Sequence, residues 1–249
     1  MPRIYDGSRI HHSWSWLFSP DILRRLNAIE NRIGTRYAPD PENVLRFAST
    51  DLDAIKIVVL GQDPYAQPGL STGRAFEIAG VKSWAEKNLN SSLRNIARNI
   101  YRTRTGKSRK FDAVRKDIER EKFAILPPDE LFDAWEAQGV LLLNAYPTCG
   151  LGESGSHIEI WRPFAASLVR FITAKRPDVV WFLWGKEVRA LWNRAIVKFA
   201  VRRDSYVTHS CPHPSSVGRA VGDSFIDCDC FEIGEQEFGI DWTGVGKTS

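Results

Sequence analysis

Hydrophobic residues in this chain fall into two patterns. Short apolar runs, rich in β-branched residues and closed by glycine or a polar residue, occur from Ile55 to Leu60, from Val140 to Ala145 and from Asp178 to Gly185. Runs of this kind read as strands buried on both faces, as in a parallel sheet, rather than as amphipathic helices. Ser205 to Ser210 reads as a fourth strand. Between the runs, apolar residues recur at helical spacing. Ser19-Pro-Asp opens one such stretch; Ile22, Leu23, Leu26, Ile29 and Ile33 carry it; Gly34 ends it. Val44, Leu45, Phe47 and Ala48 predict a short helix, and Ser91 onward has the look of a helix N-terminus. Leu131, Ala134 and Trp135 fit a helix ending near Gly139, residues 160–175 read as another, and Lys186 begins one more. Strands alternating with helices predict an α/β fold.

Length and composition narrow the class. A chain of 249 residues can bury a sizeable core, and no linker, repeat or low-complexity segment divides it, so one domain over 1–249 is expected. Hydrophobic content of 43% and charged content of 26% belong to a folded globular protein. No stretch is long and apolar enough to span a membrane, and the N-terminus lacks the apolar core of a signal peptide. A cytoplasmic protein without a membrane partner is the expectation. Cys149, Cys211, Cys228 and Cys230 lack a zinc-ribbon spacing and read as buried thiols. The net charge of +4 permits a polyanionic partner without demanding one. The densest charge lies at about 101–125, where Arg102 to Lys110 reads as an exposed basic loop and the mixed part from Asp112 as a surface helix.

Candidate chemistry gathers where the strands end. Gly61 stops the first run, and Asp63, Pro64 and Tyr65 follow it; Arg74 and Phe76 return after a glycine-punctuated segment. Asn144 ends the second run, and a carboxamide at a core strand tip needs a partner, from backbone or ligand. His213 follows the fourth strand between two prolines that stiffen its loop. Ligands of open α/β sheets bind outside the carboxyl ends of the strands. A carboxylate, a carboxamide, an imidazole and two aromatic rings could surround one planar, hydrogen-bonding base taken out of a nucleic-acid stack.

In order and spacing, GQDPY at 61–65, GRAF at 73–76, GVLLLNA at 139–145, FLWG at 182–185 and HPS at 213–215 resemble the blocks of the family 1 uracil-DNA glycosylases. SHIEIWRPF at 156–164 and IDW at 240–242 extend the resemblance, which runs from about Trp16 to Trp242. It implies a three-layer α/β/α domain around a four-stranded parallel sheet. It also implies no metal or other cofactor, and hydrolysis of the bond between uracil and deoxyribose. By the same resemblance, Asp63 orients or activates water and stabilises the oxocarbenium-like sugar. His213, as a neutral imidazole, stabilises the departing uracil anion through O2. Asn144 reads N3 and O4, Phe76 stacks on the base, Tyr65 fills the space of thymine's methyl group, and the Gln62 backbone helps bind O2. Ser92 and Ser215 contact phosphates. The implied partners are uracil-containing DNA, single- or double-stranded, and the uracil or abasic-site product, with the protein a monomer.

Several positions depart from the family pattern. Ala66 stands where a histidine usually follows GQDPY, and Asn90-Ser91-Ser92 replaces Pro-Pro-Ser. The last block reads HPSSVG rather than HPSPLS, which puts Val217 at the position of a leucine wedge and leaves a longer segment, 213–225, with Arg219 as a further DNA contact. The basic 101–125 segment looks like an insertion. The phage-encoded inhibitor that mimics DNA and seizes the wedge is therefore expected to bind weakly or not at all. The alternative to an enzyme is a glycosylase fold that grips DNA or abasic sites with weak catalysis.

Overall fold

A computed structural model describes residues 3–87, 89–197, 206–216 and 224–246. Its centre is a parallel sheet of β2 (Ile57–Gly61), β3 (Val140–Asn144), β5 (Val180–Trp184) and β6 (Val207–Cys211), in the order β3-β2-β5-β6. A small antiparallel pair, β1 (Tyr37–Ala38) with β4 (Cys149–Gly150), lies apart from it. The helices are α1 (Pro20–Ile33), α2 (Ser91–Thr105), α3 (Phe111–Glu119), α4 (Pro128–Ala137), α5 (Ile158–Lys175), α6 (Lys186–Val197) and α7 (Cys230–Phe238).

The period-two alternation of the strands builds the layers. Val58, Leu60, Leu141, Leu143, Trp181 and Leu183 join a core with Leu26 of α1, Leu168 of α5 and Leu191 of α6. Their neighbours Ile57, Val59, Val140, Leu142, Val180 and Phe182 enter a second core with Ile96 of α2, Leu131 of α4 and Phe231 of α7. The apolar runs were continuous because both faces of β2, β3 and β5 are buried. β6 differs: among the described residues it pairs with β5 alone, and Val207 is 50% exposed.

Most elements lie where the pattern predicts. Ser19 caps α1 by accepting from the Ile22 N–H, and Gly34 ends it at φ 71°. The first strand starts at Ile57 rather than Ile55, because Ile55 closes a 3₁₀ turn over Leu52–Ala54. The basic run is the larger difference. α2 continues through Thr105 and stops at Gly106, so Arg102 to Lys110 is a loop only in its second part. Leu93, Ile96, Ala97, Ile100 and Tyr101 keep one face of α2 buried while the arginines occupy the others. On α2, Arg98 and Arg102 donate to the carbonyls of Arg109 and Cys228 and Arg104 faces Glu235, while Arg109, past the end of the helix, faces Asp117. The Val44–Ala48 stretch follows a 3₁₀ turn at Pro41–Asn43 and runs into another at Arg46–Ser49, which takes the place of the predicted short helix, and α7 was not anticipated. Cys149, Cys211 and Cys230 are buried and Cys228 is half-buried, all as free thiols. Among the described residues, no helix is long and apolar enough to cross a membrane, and no cluster of three or more His, Cys, Asp or Glu side chains could hold a metal ion.

Candidate active site

The carboxyl ends of β2, β3 and β6 open onto one cavity of about 130 Å³, lined by Gln62, Asp63, Tyr65, Phe76, Ser92, Asn144, Ser154 and His213. Register brings the first two ends together: Gly61 of β2 pairs with Asn144 of β3, and the backbones of Ala145 and Tyr146 donate to the carbonyls of Gly61 and Gln62 at 2.9 Å. The third end arrives through β5, where Trp184 pairs with Cys211, two residues before His213.

Asp63 is held from several sides. Gln62 Nε2 donates to Oδ1 at 3.0 Å, the Ser154 hydroxyl reaches Oδ1 at 3.2 Å and Oδ2 at 2.9 Å, and the Gly155 N–H donates to Oδ2 at 2.5 Å. The carboxylate's charge is felt nearby: burial first, and then Asp63, push the Cys149 thiol up to about 12.

His213 is half-buried, and burial lowers its pKa against an opposing pull from Asp63. Its Nδ1 lies 3.1 Å from the Ser215 N–H and 2.8 Å from the Ser215 hydroxyl. A backbone N–H can only donate, so Nδ1 accepts and a neutral ring carries its proton on Nε2. The loop is pinned from α2, where buried Asn95 donates to the Pro214 carbonyl at 2.8 Å.

Phe76 packs against Trp184 at 5.1 Å and His213 at 5.7 Å between ring centroids. It does so at φ 68°, on a segment bridged to β3, with the Ala75 N–H donating to the Leu142 carbonyl at 3.2 Å. Two glycines make room. A Cβ on Gly61 would stand 3.0 Å from the Phe76 ring, and one on Gly73, at φ 91°, would stand 2.3 Å from the Asn43 carbonyl oxygen. Arg74 anchors the segment from beneath: its buried guanidinium meets Glu77 at 3.1 Å, Asp133 at 2.6 Å and Glu136. Tyr65 donates to the Phe76 carbonyl at 3.3 Å, and burial pushes its phenol up to about 12 against hydrogen bonds to Asn90 and Ser92. Asn144 is buried, with Nδ2 3.4 Å from the Gly73 carbonyl, so backbone supplies one of the partners its position demanded.

A profile described as the Uracil DNA glycosylase superfamily matches residues 47–232. The chain belongs to that superfamily. The chain is accordingly a glycosylase, a hydrolase of N-glycosyl bonds. This superfamily member is 29% identical over 237 residues to the uracil-DNA glycosylase of Escherichia coli (strain K12 / DH10B), covering 91% of this chain and 90% of that one. It is 27% identical over 244 residues to the uracil-DNA glycosylase of Streptococcus suis (strain 05ZYH33), covering 93% and 98%. Among solved structures, the wild-type UNG of Nitratifractor salsuginis superposes with a TM-score of 0.66 at 22% identity, covering 91% of this chain and 90% of that one. A mimivirus UNG variant in complex with UGI superposes with a TM-score of 0.64 at 21% identity, covering 92% and 85%. These likenesses share the fold of the glycosylase described here.

Of the residues singled out in its sequence, Gln62, Asp63, Tyr65, Phe76, Ser92, Asn144 and His213 line the one cavity. Ser92 is buried in the first turn of α2. Ser215 is exposed, with its hydroxyl on His213. Val217 and Arg219 lie outside the described residues. Ser154 and Gly155 were missed. Their signal is the close spacing of Gly150, Gly152 and Gly155 in a loop that follows a strand ending in Asn144. His157, in the SHIEIWRPF block, is a structural histidine: buried, lowered in pKa by that burial, and 2.9 Å from the Thr148 hydroxyl, which accepts from Trp161.

Proposed function

We propose that the protein is a monofunctional uracil-DNA glycosylase that hydrolyses the N-glycosidic bond of uracil flipped out of DNA, leaving an abasic site and so starting base-excision repair. The observation that carries this reading is the shared cavity, with Asp63 and His213 both on its wall and Asn144, Phe76 and Tyr65 around them. In this reading Phe76 stacks on the base, and Asn144 meets N3 and O4 with its donor–acceptor pair, which cytosine presents reversed. Tyr65, fixed by its bond to the Phe76 carbonyl, occupies the space that a 5-methyl group would need. His213 donates from Nε2 to O2, a dipole aimed at the charge that develops as uracil departs. Asp63 carries negative charge toward the electron-poor sugar and orients the water. The water oxygen bonds to the sugar carbon as the bond to the base nitrogen breaks, the bonding pair leaves with uracil, and the proton that the water sheds is taken up by the Asp63 carboxylate.

The substrate is uracil-containing DNA, single- or double-stranded, and the working unit is a cytoplasmic monomer whose domain spans 1–249. Ser92 and Ser215 approach phosphates, and Val217 and Arg219 belong to the loop that meets the duplex. Because that loop departs from the family pattern, the phage DNA-mimicking inhibitor binds weakly or not at all.

The test is release of free uracil from a uracil-containing oligonucleotide. Asp63→Asn and His213→Ala should each lower release by orders of magnitude with unchanged thermal unfolding. No release by the native protein would leave a DNA-binding protein in place of an enzyme, and normal release by either folded variant would remove that residue from its role.

A further inference from the structure

We infer that the Ser154 hydroxyl is a positioning group for the Asp63 carboxylate, supplied from the β4–α5 loop of a chain in which residue 66 has no hydrogen-bonding side chain. The inference rests on the proposed role of Asp63.

The geometry is specific. The end torsion of an aspartate is broad, so its own rotamer does not hold the carboxylate plane. The plane must come from partners. Gln62, the preceding residue, holds Oδ1 alone, and the Gly155 N–H holds Oδ2 alone. The Ser154 hydroxyl lies between the two oxygens, at 3.2 Å and 2.9 Å. It is therefore the contact that addresses the whole carboxylate, from a residue 91 positions away in sequence. Ser154 is exposed and lines the cavity, so core packing gives no reason for a hydroxyl there.

The loop is organised in advance to deliver it. β4 ties its start to β1, the Gly150 N–H donates to the Ser156 hydroxyl at 2.8 Å, and the Glu153 N–H donates to the Gly150 carbonyl at 2.9 Å. The Gly152 N–H donates to the carbonyl of Ala66 at 2.9 Å, which lays the loop over the very residue that lacks a polar side chain. Ala66 is buried beneath it. Asp63 therefore receives its donors from residues 62, 154 and 155, and none from a side chain at 66.

Steady-state uracil release, with thermal unfolding in parallel, tests this in four variants. Ser154→Ala should lower kcat about ten- to a hundredfold, the range of one hydrogen bond to a charged group, with KM unchanged. Ser154→Thr keeps the hydroxyl and Ser154→Val removes it at nearly equal volume, so the Thr form should retain near-native kcat and the Val form should match the Ala form. Asp63→Asn serves as the reference. If Asp63→Asn is inactive while Ser154→Ala and Ser154→Val turn over at the native rate, the inference is overturned and the role of Asp63 stands. A Thr form as slow as the Val form also overturns it, since bulk rather than the hydroxyl would then matter. A fully active Asp63→Asn removes the role of Asp63 and the inference with it.

Discussion

The side chains around the cavity are fixed by neighbours: Asp63 by Gln62, Ser154 and Gly155, Tyr65 by Phe76, and Asn144 by Gly73. In the proposed reading, Tyr65 is a steric test held in place by the bond of its hydroxyl to the Phe76 carbonyl, and Asn144 reads the base with its amide braced against the Gly73 carbonyl. Tyr65→Ala should therefore excise thymine as well as uracil, and Asn144→Asp should begin to excise cytosine. Excision from otherwise identical thymine- and cytosine-containing strands measures both; strict uracil selectivity in variants that still process uracil would count against these assignments. His213 makes a prediction about pH. Burial lowers its pKa below the ordinary 6.5, so the folded state resists the proton more than the unfolded chain does. Its contribution to stability is then present above about pH 6.5 and is lost as pH falls from there through the folded value. The ring should titrate by NMR with a midpoint below that of a free histidine, and a midpoint at or above it would remove the neutral donor from the mechanism. Asp63, Asn144 and His213 were legible in the sequence because each sits within two residues of a strand end. Ser154 was not, because what it does depends on a contact across 91 positions that no local spacing encodes.

At the scale of elements, the segment from Thr72 to Glu77 is a short piece of chain bent into a demanding shape. Phe76 sits at φ 68°, a conformation that costs a side-chain-bearing residue about 1–3 kcal/mol and must be over-determined by its surroundings. Arg74 supplies much of that determination from its buried place among Glu77, Asp133 and Glu136. Arg74→Met should lower stability by about 3 kcal/mol, because removing the guanidinium strands the buried carboxylate of Glu77. It should also weaken uracil binding as Phe76 loses its register. Denaturant unfolding and KM for a uracil oligonucleotide check the two effects, and a stable variant with native KM would show that the strand bridge alone suffices. Gly73→Ala should be worse for folding, since its methyl would lie 2.3 Å from the Asn43 carbonyl oxygen. The strands themselves were legible from their apolar runs, and α1 from its cap and its spacing. The length of α2 was hidden by its own arginines, whose density resembled a loop although Leu93, Ile96 and Ile100 kept helical time beneath them.

For the whole molecule, the parallel sheet puts the carboxyl ends of its four strands on one side, so in the proposed reading the flipped base leaves the DNA against that face. Affinity for DNA should fall steeply as salt rises, the signature of phosphate contacts, and a titration at two ionic strengths checks it. The layered architecture was legible in the sequence, since alternation along β2, β3 and β5 assigns successive residues to two cores; what could not be read was which strands lie at the margins, a property of pairing order rather than of any one strand. That order has a consequence for how the protein fails. Among the described residues β6 lies at the margin, bonded to β5 alone and half in solvent, and it leads into the loop of His213. β2, which leads to Asp63, lies inside, paired on both sides. A marginal strand opens with less free energy than the sheet it borders. Mild heat or urea should therefore silence the enzyme while Trp14, Trp135 and Trp161, none of them paired with β6, still fluoresce from an intact interior, and amides of β6 should exchange with solvent long before those of β2. An enzyme built this way has a working limit set by its rim, and its melting temperature overstates the temperature at which it can still act.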